Sequence, residues 1–303
     1  MSKLAVLFPG QGAQSVGMGR SAFDTSAAVR DLFDRANGVL GYDLAKLCFE
    51  GPASRLDSTA ISQPALFVCS CAGLELWKEQ SPEIYRSCGA AAGLSLGEYT
   101  ALTFADVIDF ETGLLLVHQR GEAMQAAADA TPSGMVSVLG MEVAQVERLC
   151  NEARQNSEVL HVANLLCPGN TVVSGSRVAC QRAVELAIGA GAMKAIPLAV
   201  AGAFHTQLMQ PAVEKLTGAL AKANFRRPRV PVISNVDAQP HDDPAQIRQL
   251  LLRQIVSPVR WEDSIRYLLQ HGFDTFWEVG PGRVLRGLLK RIDRKATCEG
   301  LTV

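Results

Sequence analysis

Gly93-Leu94-Ser95-Leu96-Gly97 decides how the rest of this chain is read. A small-residue apolar run, Cys88 to Gly93, leads in, and Glu98-Tyr99-Thr100-Ala101-Leu102, a helix-compatible run, leads out. Strand, sharp turn and helix are the setting that a G-x-S-x-G elbow requires. The two glycines let the backbone turn where a Cβ would obstruct it. The turn lifts the Ser95 hydroxyl above a sheet and close to a helix N-terminus. There the free N–H groups and the helix dipole favour developing negative charge. A G-x-S-x-G pentapeptide also arises by chance in Gly-rich chains, so its partners must decide.

Outward from the elbow, strands and helices alternate. Leu4-Ala5-Val6-Leu7-Phe8 is a continuous apolar run ended by Pro9-Gly10, the pattern of a buried central strand. The loop Pro9-Gly10-Gln11-Gly12-Ala13-Gln14 then sits where open α/β folds place ligands. It lacks both G-K-[ST] and G-x-G-x-x-G, so it is not a phosphate loop. Helical patterns cover 26–40, 63–79 and 112–128, the second introduced by Ser62-Gln63-Pro64. Between 131 and 200 the rhythm changes. Strands at 135–139, 159–163, 171–174 and 195–200 and helices at 143–155 and 177–188 give the order β-α-β-β-α-β, a ferredoxin-like arrangement. Beyond it come a helix at 208–223, a strand at 231–236, helices at 243–255 and 261–270, a strand at 275–279 and a helix to about 292. This predicts an α/β fold with a mostly parallel sheet covered on both faces. Residues 1–130 and 201–303 form the large domain, and 131–200 a small inserted one.

The 303 residues are 48% hydrophobic with a formal net charge of -1, enough for a substantial core and without the basic excess of a nucleic-acid binder. Eight cysteines are scattered without C-x-x-C or zinc-type spacing, which reads as buried thiols in a reducing cytoplasm. The apolar run at the N-terminus stops at Pro9, too short for a signal peptide, and no stretch is expected to serve as a membrane span of roughly 20 apolar residues.

A serine needs a base to take its proton. Of five histidines, His205 is best placed: it follows an apolar strand, lies in the small-residue turn Ala201-Gly202-Ala203-Phe204-His205 and opens a helix. His161 lies in a sheet pattern, His241 in a loop and His271 at a helix end, while His118 shares a helix with Arg120. No acid between Ser95 and His205 is well placed for a hydrolase triad, so a Ser-His pair held by a neutral partner fits better. Arg120, one turn after Leu116 and Val117, is either a snorkelling or salt-bridged cation or a bidentate clamp for a carboxylate.

Leu-Phe-Pro-Gly-Gln-Gly-Ala-Gln (7–14), Gly-Leu-Ser-Leu-Gly-Glu-Tyr (93–99), Gln-Arg-Gly (119–121), Gly-Ala-Phe-His-Thr (202–206), Ser-Pro-Val-Arg-Trp (257–261) and Glu-Val-Gly-Pro-Gly (278–282) together resemble malonyl-CoA:acyl carrier protein transacylases. The resemblance runs in order over nearly the whole chain. It implies an α/β-hydrolase-like domain with a ferredoxin-like insert, and transfer of malonyl from malonyl-CoA to the phosphopantetheine thiol of an acyl carrier protein, with no tightly bound cofactor or metal. It implies Ser95 as nucleophile and His205 as general base. Arg120 pairs with the malonyl carboxylate, Gln11 and the Leu96 N–H shape the oxyanion hole, and the Gln254 main-chain carbonyl orients the imidazole. Phe204 marks the malonyl-preferring form, and Asn164 faces the cleft. Two residues depart from the family pattern: Leu94 stands where His is usual, and Asn170 where Gln is common. The basic groups Arg226-Arg227-Arg229 and Lys290-Arg291-Arg294-Lys295 are either solvated faces or docking sites for an acidic carrier. Alternatives within the same chemistry are a trans-acting polyketide acyltransferase and the malonyl-loading subunit of a malonate decarboxylase. An acyl hydrolase and a catalytically silent carrier-binding module lie further off.

Overall fold

Ala5, Val6, Leu7 and Phe8 are all fully buried, which puts their strand in the middle of a sheet rather than at its edge. The computed structural model describes residues 3–303, so the first two residues of the 1–130 segment lie outside the described residues. The strands are β1 (Lys3–Phe8), β2 (Cys88–Gly93), β3 (Ser133–Leu139), β4 (Leu160–Cys167), β5 (Asn170–Ser176), β6 (Lys194–Pro197), β7 (Val232–Ile233), β8 (Phe273–Val279) and β9 (Thr297–Leu301). They form two separate sheets. One has the order β7-β2-β1-β8-β9 and is parallel throughout. The other, β4-β5-β3-β6, is antiparallel. The α/β class and the β-α-β-β-α-β order of the second sheet agree with the sequence.

Alternation along β1 sorts the core into two layers. Val6 and Phe8 face the larger cluster, which includes Phe67, Trp77 and Phe104; Ala5 and Leu7 face Trp261, Ile265, Phe276 and Leu285. Ala90 and Ala92 of β2 pack in the smaller cluster and Ala91 in the larger, so helices approach the sheet closely where it carries the elbow.

Several expectations need correction. The helix read as starting at Gln63 is Thr59–Gln80, with Pro64 inside it. A proline this near the start removes only one early backbone donor, and the added turn is anchored by the Gln125 side chain, which accepts the Thr59 N–H at 2.9 Å. This helix is long and apolar enough to cross a membrane by composition, contrary to the sequence expectation, yet most of that stretch is buried inside the protein. β7 is two residues rather than six: the Asn235 N–H leaves the ladder to bond Glu98. β6 stops at Pro197, and β4 runs on to Cys167, where Leu165 and Ala163 exchange backbone bonds with Val259. β9, an edge strand of mixed polarity, had no sequence signal.

Candidate active site

The parallel strands end on one side of the sheet, and their following loops build the site. β1 runs into Pro9-Gly10-Gln11, β2 into the elbow and β7 into Ser234-Asn235. Ser95 adopts a left-handed φ of 51°, a costly conformation for a residue with a Cβ. It is held by its surroundings. The Leu94 N–H donates to the Phe8 carbonyl at 3.0 Å, and the Gly97 N–H closes the turn on the Leu94 carbonyl at 2.9 Å. A Cβ on Gly93 would overlap the Gly97 carbonyl, and one on Gly97 would overlap the Phe8 carbonyl. The Asn235 side chain completes the clamp, accepting the Ser95 N–H at 2.7 Å and donating to the Gly93 carbonyl at 2.8 Å.

The Ser95 hydroxyl lies 2.9 Å from His205 Nε2, across 110 residues of sequence. His205 is itself left-handed, with φ 62°, and buried. Its Nδ1 lies 2.8 Å from the Gln254 main-chain carbonyl. A carbonyl only accepts, so Nδ1 carries the hydrogen and Nε2 is left as acceptor for the serine proton. Burial, and secondarily the Arg120 charge, lower the imidazole to about pKa 4, against the opposing pull of the Gln254 and Ser257 carbonyls. At neutral pH the ring is therefore neutral, the state a base requires.

Arg120 comes from the Phe110–Ala130 helix and is 1% exposed. Its guanidinium donates to Gln63 Oε1 at 2.8 Å, to Gln254 Oε1 at 3.0 Å and to Ser95 Oγ at 3.0 Å. All three partners are neutral, its Nε has no partner, and among the described residues it joins no ion pair. A buried cation without an acid beside it is costly to maintain. Arg120 thus neither reaches solvent nor, among the described residues, forms a salt bridge.

Ser95, His205 and Arg120 line a cavity of about 260 Å³ together with Gln11, Leu96, Asn164 and Phe204. Gln254 reaches the same groups from behind. Gln11 projects from the β1 loop and its amide points to Thr59 Oγ1 at 3.4 Å. Leu94, Leu166, Leu198, Val200, Val284 and Leu288 give the cavity an apolar rim. A larger recess, of about 430 Å³ beside Lys215 and Lys222, contains none of this chemistry. Among the described residues no group of three His, Cys, Asp or Glu side chains converges as a metal site.

The other histidines lie elsewhere: His161 beside Arg154, His241 on Asp237, His271 against Tyr267 and His118 near Glu122. Arg229, one of the basic group considered for docking, is committed internally to the Phe104 carbonyl and Asp106. Sequence reasoning missed Gln63, Asn235 and Glu98, and assigned Gln254 only its main-chain carbonyl. Ser234-Asn235, polar residues at the C-terminal end of an apolar strand, were the available signal for one of them.

Residues 6–298 match the acyl transferase domain family. The chain belongs to that family. It is 42% identical to the malonyl CoA-acyl carrier protein transacylase of Bacillus subtilis over 97% of this chain and 92% of that one. Among solved structures, the malonyl CoA-acyl carrier protein transacylase of Coxiella burnetii superposes with a TM-score of 0.95 at 38% identity, covering 100% of this chain and 94% of the other. A malonyl-transacylase solved in complex with its type II PKS acyl-carrier protein gives a TM-score of 0.95 at 37% identity, over 99% and 96% of the two chains. This acyl transferase domain thus carries its Ser, His and Arg on a fold shared with enzymes of that description.

Proposed function

We propose that this acyltransferase moves a malonyl group from malonyl-CoA to the phosphopantetheine thiol of an acyl carrier protein, through an ester on Ser95. The observation that carries the reading is Arg120: a buried guanidinium with only neutral partners, one of them the Ser95 hydroxyl. It offers a carboxylate a cation without an acid partner, 3.0 Å from the nucleophile and so within reach of the far end of a short acyl group held there. On binding, the malonyl carboxylate takes over Arg120 donation and frees the Ser95 oxygen for attack.

Ser95 Oγ gives its proton to His205 Nε2 as it bonds to the thioester carbonyl carbon. Gln11 and the Leu96 N–H, at the N-cap of the Gly97–Phe104 helix, receive the developing oxyanion. His205 returns the proton to the departing CoA sulfur. The carrier thiol then gives a proton to His205 and attacks the ester carbonyl; the Ser95 Oγ–acyl bond breaks, and His205 returns that proton to Ser95 Oγ. General-base help of this kind contributes about 10²–10⁴-fold. Asn164 and Phe204, which also line the cavity, would bound the acyl group.

We read residues 131–200 as a small inserted domain that lends Asn164, Leu166, Asn170 and Val172 to the cavity lining, and the setting as fatty acid biosynthesis. The chain's likeness to a transacylase bound to a type II PKS carrier favours a second reading, supply of a polyketide pathway. Free thiols at all eight cysteines fit a reducing compartment such as the cytoplasm.

The test is intact-mass measurement after brief exposure to malonyl-CoA. The wild type should gain one malonyl unit and lose it on adding holo carrier protein. Ser95→Ala should gain none; an adduct on that variant refutes the assignment. Fatty-acid and polyketide carriers offered together distinguish the two settings.

A further inference from the structure

One buried ionisable group has no task in that scheme. Glu98 lies in the first turn of the elbow helix, 3% exposed, behind Ser95. Its Oε2 accepts the Gln254 side-chain amide at 2.8 Å and the Asn235 backbone N–H at 3.0 Å. These two residues touch the elbow, Arg120 and His205. Asn235 clamps both sides of the elbow. Gln254 donates to the Ser95 carbonyl at 3.0 Å, accepts Arg120 through Oε1 and orients His205 through its main chain. The Glu98 carboxylate is therefore one amide away from the guanidinium, and no acid is closer to Arg120 in the contacts of the site.

We propose that Glu98 is a positioning residue that sets acyl specificity: acting through the Gln254 amide, its buried carboxylate moderates the positive field at Arg120 and so limits how tightly the site grips a carboxylated acyl group relative to a neutral one. The proposal rests on the reading that Arg120 pairs with the acyl carboxylate. In direct contact, Glu98 would occupy the guanidinium and exclude the substrate. With the amide between them it offsets the charge and leaves the donors free. Moderation suits catalysis, because a grip felt equally in the ground and transition states adds nothing to turnover. The same hydrogen bonds hold the amide of Gln254 in the orientation that presents Oε1 to Arg120. Burial raises the Glu98 carboxyl to about pKa 7, against the opposing effects of Asn235, Gln254 and Arg120. The titratable and charged groups around it are Arg120 and Tyr99 on the site side, His205 across Gln254, and Asp237 and His241 from the loop after β7.

Glu98→Gln keeps an oxygen to accept both hydrogen bonds and removes the charge. Single-turnover loading of Ser95 at pH 8.5, where the Glu98 carboxyl is ionised, followed by intact mass, would be run with malonyl-CoA and acetyl-CoA. The half-saturating malonyl-CoA concentration should fall about fivefold, the lower end of ordinary coupling between sites, with acetyl-CoA moving by less than about twofold. Equal shifts for both acyl groups, as a merely structural role would give, overturn the proposal, as does weaker malonyl binding. Should the variant fail to fold, the wild-type preference for malonyl over acetyl loading at pH 6 and pH 8.5 decides. Protonating Glu98 removes the same charge, so the preference should rise on acidification, and a flat or falling ratio overturns the proposal. If the wild type acquires no malonyl at all, the parent reading has failed and takes this one with it.

Discussion

Replacing Glu98 by Gln should make stability newly sensitive to acid. Burial moves two neighbouring groups in opposite directions: His205 falls from 6.5 to about 4, and Glu98 rises from 4.5 to about 7. For His205, the unfolded chain takes up a proton below about 6.5 and the folded one does not until about 4, so stability is lost as pH falls through that window. For Glu98, the folded chain keeps its proton up to about 7 while the unfolded one ionises above 4.5, so stability is gained as pH falls. Each slope is about 1.4 kcal/mol per pH unit, and between pH 4.5 and 6.5 they cancel. Glu98→Gln removes one of them. The variant should then lose about 3 kcal/mol relative to wild type between pH 6.5 and 4.5. Urea unfolding followed by far-UV circular dichroism at pH 4.5, 5.5 and 6.5 measures it. Only the difference in slope matters, since the substitution also shifts stability at every pH. Parallel curves for the two proteins would refute the reasoning.

Arg120→Ala should cost malonyl transfer about 2–5 kcal/mol, roughly 30- to several-thousand-fold in kcat/KM, and acetyl transfer much less. It should also lower Tm, because Gln63 and Gln254 each lose a buried donor worth about 1–3 kcal/mol; equal losses for both acyl groups would make Arg120 structural. Leu94→His, which puts a polar ring into the apolar cavity rim, should alter loading rate or acyl preference, and unchanged kinetics would dismiss that departure as silent. Acetyl-CoA loading should be level from pH 5.5 to 7.5 as far as His205 is concerned and fall only as pH drops through about 4; a midpoint near 6.5 would show the imidazole to be solvated.

Much of this was legible because it is local. The elbow follows from Gly93 and Gly97, whose missing Cβ atoms make room for the Gly97 and Phe8 carbonyls, and a strained turn leaves a compositional trace. The second sheet was legible from its strand and helix spacing. His205 and Arg120 were found because an imidazole in a small-residue turn and a cation on an apolar helix both need a reason. Gln63, Asn235 and Glu98 left no such trace. Their roles depend on bonds spanning 57, 140 and 156 residues, and an amide or acid near a strand end looks the same whether it faces water or the elbow. β9 was missed because an edge strand needs no apolar alternation, and the true start of the Thr59–Gln80 helix because Pro64 resembles a first-turn proline.

The neutral partner of His205 sets how strong a base the site offers to water and to an incoming thiol. A carboxylate at Nδ1 would raise the imidazole pKa, whereas a carbonyl, burial and the adjacent Arg120 together leave it a weak base. Such a base lies about four to five pKa units below an ordinary thiol, near 8.5, and much further below water. Any base meets the thiol with the smaller mismatch, so at the proposed Ser95 ester the incoming carrier thiol gives up its proton more readily than water does. The apolar rim formed by Leu94, Leu166, Leu198 and Leu288 works in the same direction, admitting an alkyl arm more readily than water. The absent acid, a defect if the site is judged as a hydrolase triad, leaves an imidazole that is neutral at working pH and free to take a proton.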